Sequence, residues 1–198
     1  MGQSALRVLV IFAHPVETSF AVALRDAVVG RLRARGHAVD LLDLYAERFD
    51  PVLSRAERLG YHDVASNRAH VADYVARLMA AEGLALVAPI WNFGHPAILK
   101  GFFDRVFLPG VTFMLEGGRV VPGPAALRKL VAIHTYGAPR WKAWLAGDPP
   151  RRVVVRILGG LLARRRRTRY LALYDMNNAT AAQRAAFLVR VTAEMDRF

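Results

Sequence analysis

Three short segments carry most of the side chains able to do chemistry. His14-Pro-Val-Glu-Thr-Ser-Phe20 brings an imidazole and two neighbouring hydroxyls, Thr18 and Ser19. Pro89-Ile90-Trp91-Asn92-Phe93-Gly94 sets two aromatic rings about one amide side chain and ends on glycine. Thr135-Tyr136-Gly137-Ala-Pro139 places a hydroxyl beside a flexible backbone. Hydroxyls joined to the first N–H groups of a helix make an anion pocket, and His14 is able to add a donor or a charge. Trp91 and Phe93 offer stacking to a flat aromatic ligand, and Gly94 allows its backbone close approach. Amides near Thr135 and Gly137 suit negative charge developing on a reduced group. Each feature also has a plainer use. Ser19 serves equally as an N-cap, His14 as a polar turn residue, and Trp91 and Phe93 as plugs for the end of the core. His134 reads best as a satisfied, partly buried histidine at a strand end.

Other chemistries find little support. There is no G-x-G-x-x-G, no Walker loop, and no carboxylate or histidine cluster with metal spacing. Ser19 lacks a nucleophile-elbow context. The absence of cysteine removes disulfides, thiolate metal sites and cysteine catalysis together.

The elements that must position these segments alternate along the chain. Arg7–Ala13 is an apolar run of the kind a strand buried on both faces requires. Phe20, Leu24, Val28 and Leu32 then mark one helical face, capped by Thr18 or Ser19 and stopped by Gly36. Val39–Leu44 supplies a second strand, and Ser54-Arg-Ala-Glu57 is a capping-box pattern. Val71, Tyr74, Val75, Leu78 and Met79 predict a longer helix. Leu84–Ala88 reads as the central strand, and Ile98, Leu99, Phe102, Phe103, Val106 and Phe107 as the buried face of the helix that follows. Two β runs flank Gly117-Gly118, a hairpin pattern. Leu130–Thr135 and Arg169–Tyr174 complete the strands, and Thr180-Ala-Ala-Gln183 opens a last helix. The pattern predicts an α/β fold, a three-layer αβα sandwich on a parallel sheet of about five strands, forming a single domain over 1–198. In such a sheet the loops after strands one, three and four meet in one crevice, and these are the three segments above.

Composition narrows the setting. The chain has 198 residues, 54% hydrophobic and 22% charged, which excludes a disordered chain. No apolar run reaches the roughly 18–20 residues that span a bilayer. Leu6–Ala13 is too short and wrongly flanked for a signal peptide, and Leu6 stands where a myristoylation motif wants Ser or Thr. A cytoplasmic protein is the simplest expectation. The net charge is +12, yet eight arginines and no acidic residue fall between Arg151 and Arg169, so removing that segment leaves +4 (12 − 8). The basicity is local, in an irregular or inserted segment at about 140–169.

The first two segments, taken with the helix after the second, resemble the flavodoxin-like NAD(P)H:quinone oxidoreductase family. His14-Pro-x-x-x-Ser19-Phe20 carries part of the likeness. The longer stretch Pro89-x-Trp-Asn-Phe-Gly-x-Pro-Ala-Ile-Leu-Lys-Gly-Phe-Phe-Asp-Arg-Val-Phe107 carries more. Its first turn also looks like the flavin-contacting turn of FMN-dependent azoreductases. The resemblance implies bound FAD or FMN, NAD(P)H as co-substrate and a homodimer. It also implies two-electron, ping-pong hydride transfer through flavin N5 to quinones or to azo and nitro compounds. By position, His14, Thr18, Ser19 and Phe20 would lie by the phosphate and ribityl chain. Pro89, Ile90, Trp91, Asn92, Phe93 and Gly94 would line the isoalloxazine, and Thr135, Tyr136 and Gly137 its pyrimidine end. Family members of the mammalian type carry Thr-Thr-Gly-Gly and then a tyrosine and a histidine that assist hydride transfer. Lys142, Ala143, Asp148 and Pro149 fall near those two positions here, so no acid–base pair is assigned. Two other classes compete. A flavodoxin-like electron carrier is usually acidic, unlike this chain. The run Arg164–Arg167 fits a polyanion-binding module, for nucleic acid or, through Arg151–Arg169, an anionic membrane surface, but no stacking aromatics are interleaved with it.

Overall fold

The computed structural model describes residues 5–125, 127–161 and 167–198. Five strands form one parallel sheet: β1 (Arg7–Phe12), β2 (Ala38–Asp43), β3 (Gly83–Ile90), β6 (Lys129–Tyr136) and β7 (Arg167–Leu173). Their order is β2-β1-β3-β6-β7, and every neighbouring pair is parallel. β4 (Phe113–Glu116) and β5 (Arg119–Pro122) make a separate antiparallel hairpin. Its turn has positive φ at both Gly117 and Gly118, a geometry that matches the strand twist and that glycine adopts without strain.

Helices cover both faces of the sheet. α1 (Phe20–Ala34) and α8 (Ala181–Met195) lie on one side, where Leu24, Val28, Phe187 and Val191 pack against Val8, Val10, Val87 and Ile133. α3 (Ala72–Ala80) and α4 (Ala97–Val106) take the other, with Val75, Leu78, Leu99 and Phe102 against Leu9, Ile11, Leu84 and Leu86. The alternation of these strand residues between two clusters is the period-two signature of a strand sandwiched by helices. Every residue of β3 is buried.

The capping boxes at Ser54–Glu57, opening α2 (Arg55–Leu59), and at Thr180–Gln183 both form. Glu57 does more than cap. Its carboxylate lies 2.7 Å from Arg105, with both side chains about nine-tenths buried, and Arg105 also donates to the Asp50 carbonyl. The chain at Pro51 crosses α4 so closely that a Cβ on Gly101 would stand 2.2 Å from the Pro51 oxygen. After β6 come α5 (Arg140–Leu145) and α6 (Pro149–Arg152), which runs through a π-helical stretch, Val153–Leu158, into α7 (Gly159–Leu161). Three successive valines there are β-branched and crowd a regular α-helix, while Val154 and Leu158 still reach the core. Arg164–Arg166 and the side chain of Arg167 lie outside the described residues, so the four-arginine run is not placed. Among the described residues, no helix is long and apolar enough to cross a membrane.

Candidate functional site

Strand order creates the site. The chain leaves β1 toward β2 on one side and β3 lies on the other, so the loops after β1 and β3 part and open a crevice at their carboxyl ends. A cleft of about 600 Å³ occupies that position. His14 lines it from the first loop, Pro89–Phe93 from the second, and Thr135–Gly137 from the third. Thr18, Ser19, Phe20 and Gly94 do not line it; Gly94 instead borders an apolar cavity of about 480 Å³ next door.

The second loop is strained. Trp91 and Gly94 exchange backbone hydrogen bonds of 3.0 and 2.8 Å, leaving Asn92 and Phe93 at the tip with φ of 50° and 57°. Two consecutive positive φ values define a type I′ turn, which favours Asn or Gly at both central positions. Phenylalanine there costs about 1–2 kcal/mol. Gly94 itself is unstrained: its φ is not positive, and an added Cβ would meet only the Trp91 oxygen, at 3.7 Å. The strain falls one residue earlier. Asn92 and Phe93 both line the cleft, and Phe93 packs on the Ile90–Tyr136 cluster.

The first loop is built around the start of α1. Ser19 occupies the N-cap position with extended backbone, but its side chain makes no capping bond. Its Oγ is buried and has no partner, and no acidic residue lies in the first turn of α1. An unpaired buried hydroxyl costs about 1–3 kcal/mol unless something satisfies it. An anionic oxygen at this helix N-terminus would do so. Thr18 is exposed. His14 accepts from the Val16 amide through Nδ1 at 3.0 Å, and burial lowers its pKa. The ring is therefore neutral near pH 7, with its proton on Nε2, a donor toward the cleft. It also meets the Trp91 ring edge-on at 5.9 Å, joining the two loops.

The third loop differs most from expectation. The Tyr136 side chain turns inward, 1% exposed, and its hydroxyl donates to Asp148 at 2.6 Å while sharing a short hydrogen bond with Tyr170. Tyr174 donates to the other Asp148 oxygen at 3.3 Å. Burial, with the Asp148 charge nearby, pushes the Tyr136 and Tyr170 hydroxyls far above the usual range, so both stay protonated. Asp148 itself has φ of 43°. His134 is fully buried rather than partly so, and half satisfied: Nδ1 lies 2.8 Å from the Ala88 oxygen, and Nε2 has no partner. Burial holds it down to about 4, and His95, whose ring centroid is 5.3 Å away, down to about 3. Neither is a proton donor near pH 7.

Residues the sequence reading missed come from a fourth loop, after β7. Met176 and Asn177 line the cleft, as does Ala138. Asp175, at φ 57°, donates its amide to the Ala138 oxygen at 3.0 Å, tying the two loops together. The Asn177 amide lies so close that a Cβ on Gly137 would stand 3.2 Å from Nδ2, which explains glycine there. The signal was available: β7 neighbours β6, and a polar Asp-Met-Asn-Asn follows its carboxyl end.

The arrangement suits a planar ligand with an anionic tail, its ring against Trp91–Phe93 and its tail toward Ser19. Comparison with known proteins bears on this. The family model described as "Flavodoxin-like fold" matches residues 6–186. This chain belongs to that family. Among curated relatives, NAD(P)H dehydrogenase [quinone] 1 of Cavia porcellus is 34% identical over 147 residues, covering 66% of this chain and 53% of that protein. The chain thus spans about half the length of that relative. Among solved structures, Smu.1420 of Streptococcus mutans UA159 superposes with a TM-score of 0.86 at 28% identity, covering 97% of this chain and 100% of that one. The NAD(P)H:quinone oxidoreductase of Methanothermobacter marburgensis gives 0.84 at 26% identity, covering 97% and 98%.

Proposed function

We propose that this flavodoxin-like protein is a flavin-dependent NAD(P)H oxidoreductase acting on quinone-type acceptors. The observation that carries the reading is the strained aromatic turn at Asn92–Phe93, which lines the switch-point cleft, together with an unpartnered Ser19 hydroxyl at the start of α1, in the loop whose His14 lines the same cleft. A flavin mononucleotide portion, common to FMN and FAD, has the anionic phosphate and the flat ring that these two features lack and would satisfy. Relatives named for NAD(P)H and quinone support the same assignment.

When bound, the flavin supplies two-electron redox chemistry between NAD(P)H and the acceptor. The chain's own part is binding, orientation and charge. Ser19 Oγ and the first N–H groups of α1 would hold the phosphate, and His14, whose Nδ1 accepts from the Val16 amide, would offer Nε2–H as a donor. Trp91 and Phe93 fix the ring plane, while the tip amides of Asn92 and Phe93 lie outside the hydrogen-bond pair that closes the turn. The backbone at Tyr136 and Gly137 faces the cleft and opposes negative charge on the ring. Tyr136, His95 and His134 are not assigned as acids: the Tyr136 proton is committed to Asp148, and the two buried histidines are neutral.

A homodimer forms part of the proposal. The β4–β5 hairpin exposes Met114, Leu115 and Val120, and the apolar cavity beside α4 is open, surfaces that a second copy suits. The test is direct. Purified protein is expected to be yellow, to release FMN or FAD identifiable by mass, and to oxidise NADH or NADPH with menadione. A colourless protein that takes up neither flavin overturns the reading. Flavin-loaded protein without turnover leaves an electron carrier instead.

A further inference from the structure

One surface is left unused by this chemistry. α5 is amphipathic in the wrong sense for a buried helix: Ala143 faces inward at 1% exposure, whereas Trp141, Trp144 and Leu145 stand 61%, 77% and 73% exposed. Their spacing, one residue then three and four on, puts all three on one outer face.

Basic residues frame this patch along the chain. Arg140 and Lys142 lie on α5 itself, and the Lys142 ammonium sits 5.4 Å from the Trp141 ring. Arg152 returns to the C-terminal end of the helix, and Arg151 lies over the Tyr170 ring, 5.7 Å from its centroid. Arg140 and Arg151 each bear on the Tyr174 hydroxyl, and the Arg152 guanidinium lies 3.5 Å from where a Gly147 Cβ would be. Arg156 follows on the π-helical stretch, also exposed. Among the described residues none of these five cations enters an ion pair. The one carboxylate between Pro139 and Leu161 is Asp148, engaged by Tyr136 and Tyr174.

We infer that α5 docks this protein on an anionic lipid surface. Tryptophan with an aliphatic neighbour, framed by arginine and lysine, is the composition that settles at the headgroup boundary. A second copy fits poorly, because a two-fold contact on this face sets the same five cations against one another. Single-stranded nucleic acid would need the rings to line a groove that tracks its backbone, and here they project from a six-residue helix. The position gives the docking a use, and this step rests on the oxidoreductase reading. α5 begins two residues after Ala138, which lines the cleft, so a lipid-dissolved quinone is brought to the cleft mouth by the same contact.

The test is co-sedimentation of the full-length protein with vesicles of phosphatidylcholine alone and with about a quarter phosphatidylglycerol. Retention on the anionic vesicles only, reversed by salt, with tryptophan emission shifted to the blue and quenched by brominated acyl chains, is expected. The double variant Trp141→Ser/Trp144→Ser is expected to partition about tenfold more weakly, or worse, while keeping its circular dichroism. Equal retention on neutral vesicles, or no quenching in the parent protein, overturns the inference. So does retention unchanged in the double variant, tighter retention on RNA or DNA than on lipid, or loss of a lipid-free dimer in that variant. Vesicle retention is read without NAD(P)H. Binding without turnover therefore removes the acceptor-delivery role and leaves the docking standing, whereas turnover without binding overturns docking and delivery together and leaves the oxidoreductase reading standing.

Discussion

The pair His95–His134 ties fold stability to acid in a way that can be measured. Both rings are held neutral by burial, at about 3 and about 4 against 6.5 for an ordinary histidine. A depressed folded pKa means that the unfolded chain binds more protons at intermediate pH. The stability is complete above pH 6.5 and is lost as pH falls toward 4 and 3. Between pH 7.5 and 5.0 each ring gains about 1.5 units of protonation cost in the folded state, which at about 1.4 kcal/mol per unit is about 2 kcal/mol. Replacing His95 by leucine removes one of these terms. It sacrifices no hydrogen bond, because His95 Nε2 has no partner, and it keeps apolar contact with Phe103. Urea unfolding at pH 7.5 is expected to give parent and variant stabilities within about 1 kcal/mol. At pH 5.0 the parent is expected to have lost about 2 kcal/mol more than the variant. The carboxylates, His14 and His37 titrate in both proteins and cancel in this difference. An equal loss in the two proteins refutes the reasoning.

Ser19→Ala removes an unpaired buried hydroxyl, so the flavin-free protein should be as stable as the parent or slightly more so. Flavin affinity should fall about tenfold, from a hydrogen bond to a charged oxygen of about 1.5 kcal/mol, read by fluorescence titration. Phe93→Gly relieves the turn and is expected to raise thermal stability of the flavin-free protein by about 1 kcal/mol while weakening flavin retention. A loss of both would show that packing on Ile90 and Tyr136 outweighs the strain. Gly101→Ala forces Pro51 off α4 and is expected to cost about 2 kcal/mol or more in chemical denaturation.

Much of the scaffold was legible because its signals are local. Apolar runs such as Arg7–Ala13 and Leu84–Ala88 announce strands buried on two faces, and both capping boxes form where Ser54 and Thr180 stand. The three loops that share the cleft followed from strand order alone. What escaped depends on contacts distant in sequence or on conformations that residue type argues against. Positive φ at Phe93 contradicts the preference of an aromatic residue, so nothing in the residue types announces it. Tyr136, Asp148, Tyr170 and Tyr174 meet only once β6, the start of α6 and β7 are assembled, and no periodicity links them. His134 reads as a strand-end residue until the packing of His95 above it is known. The loop after β7 joins the cleft through Met176 and Asn177 because β7 pairs directly with β6.

The close passage of Pro51 over Gly101 gives the stretch between β2 and α3 a character its length conceals. Phe49 is wedged between Tyr74 and Phe102, Arg105 grips Asp50 and Glu57, and Asn67 donates to the Pro109 carbonyl at 3.0 Å. This long connection is a girdle around the very helix that leaves the aromatic turn. Substitutions at its exposed positions should be absorbed quietly, whereas adding or deleting one residue near Pro51 would slide the whole girdle out of step with Gly101 and Arg105. The lever arm of such a change ends at Trp91, roughly forty positions along the chain.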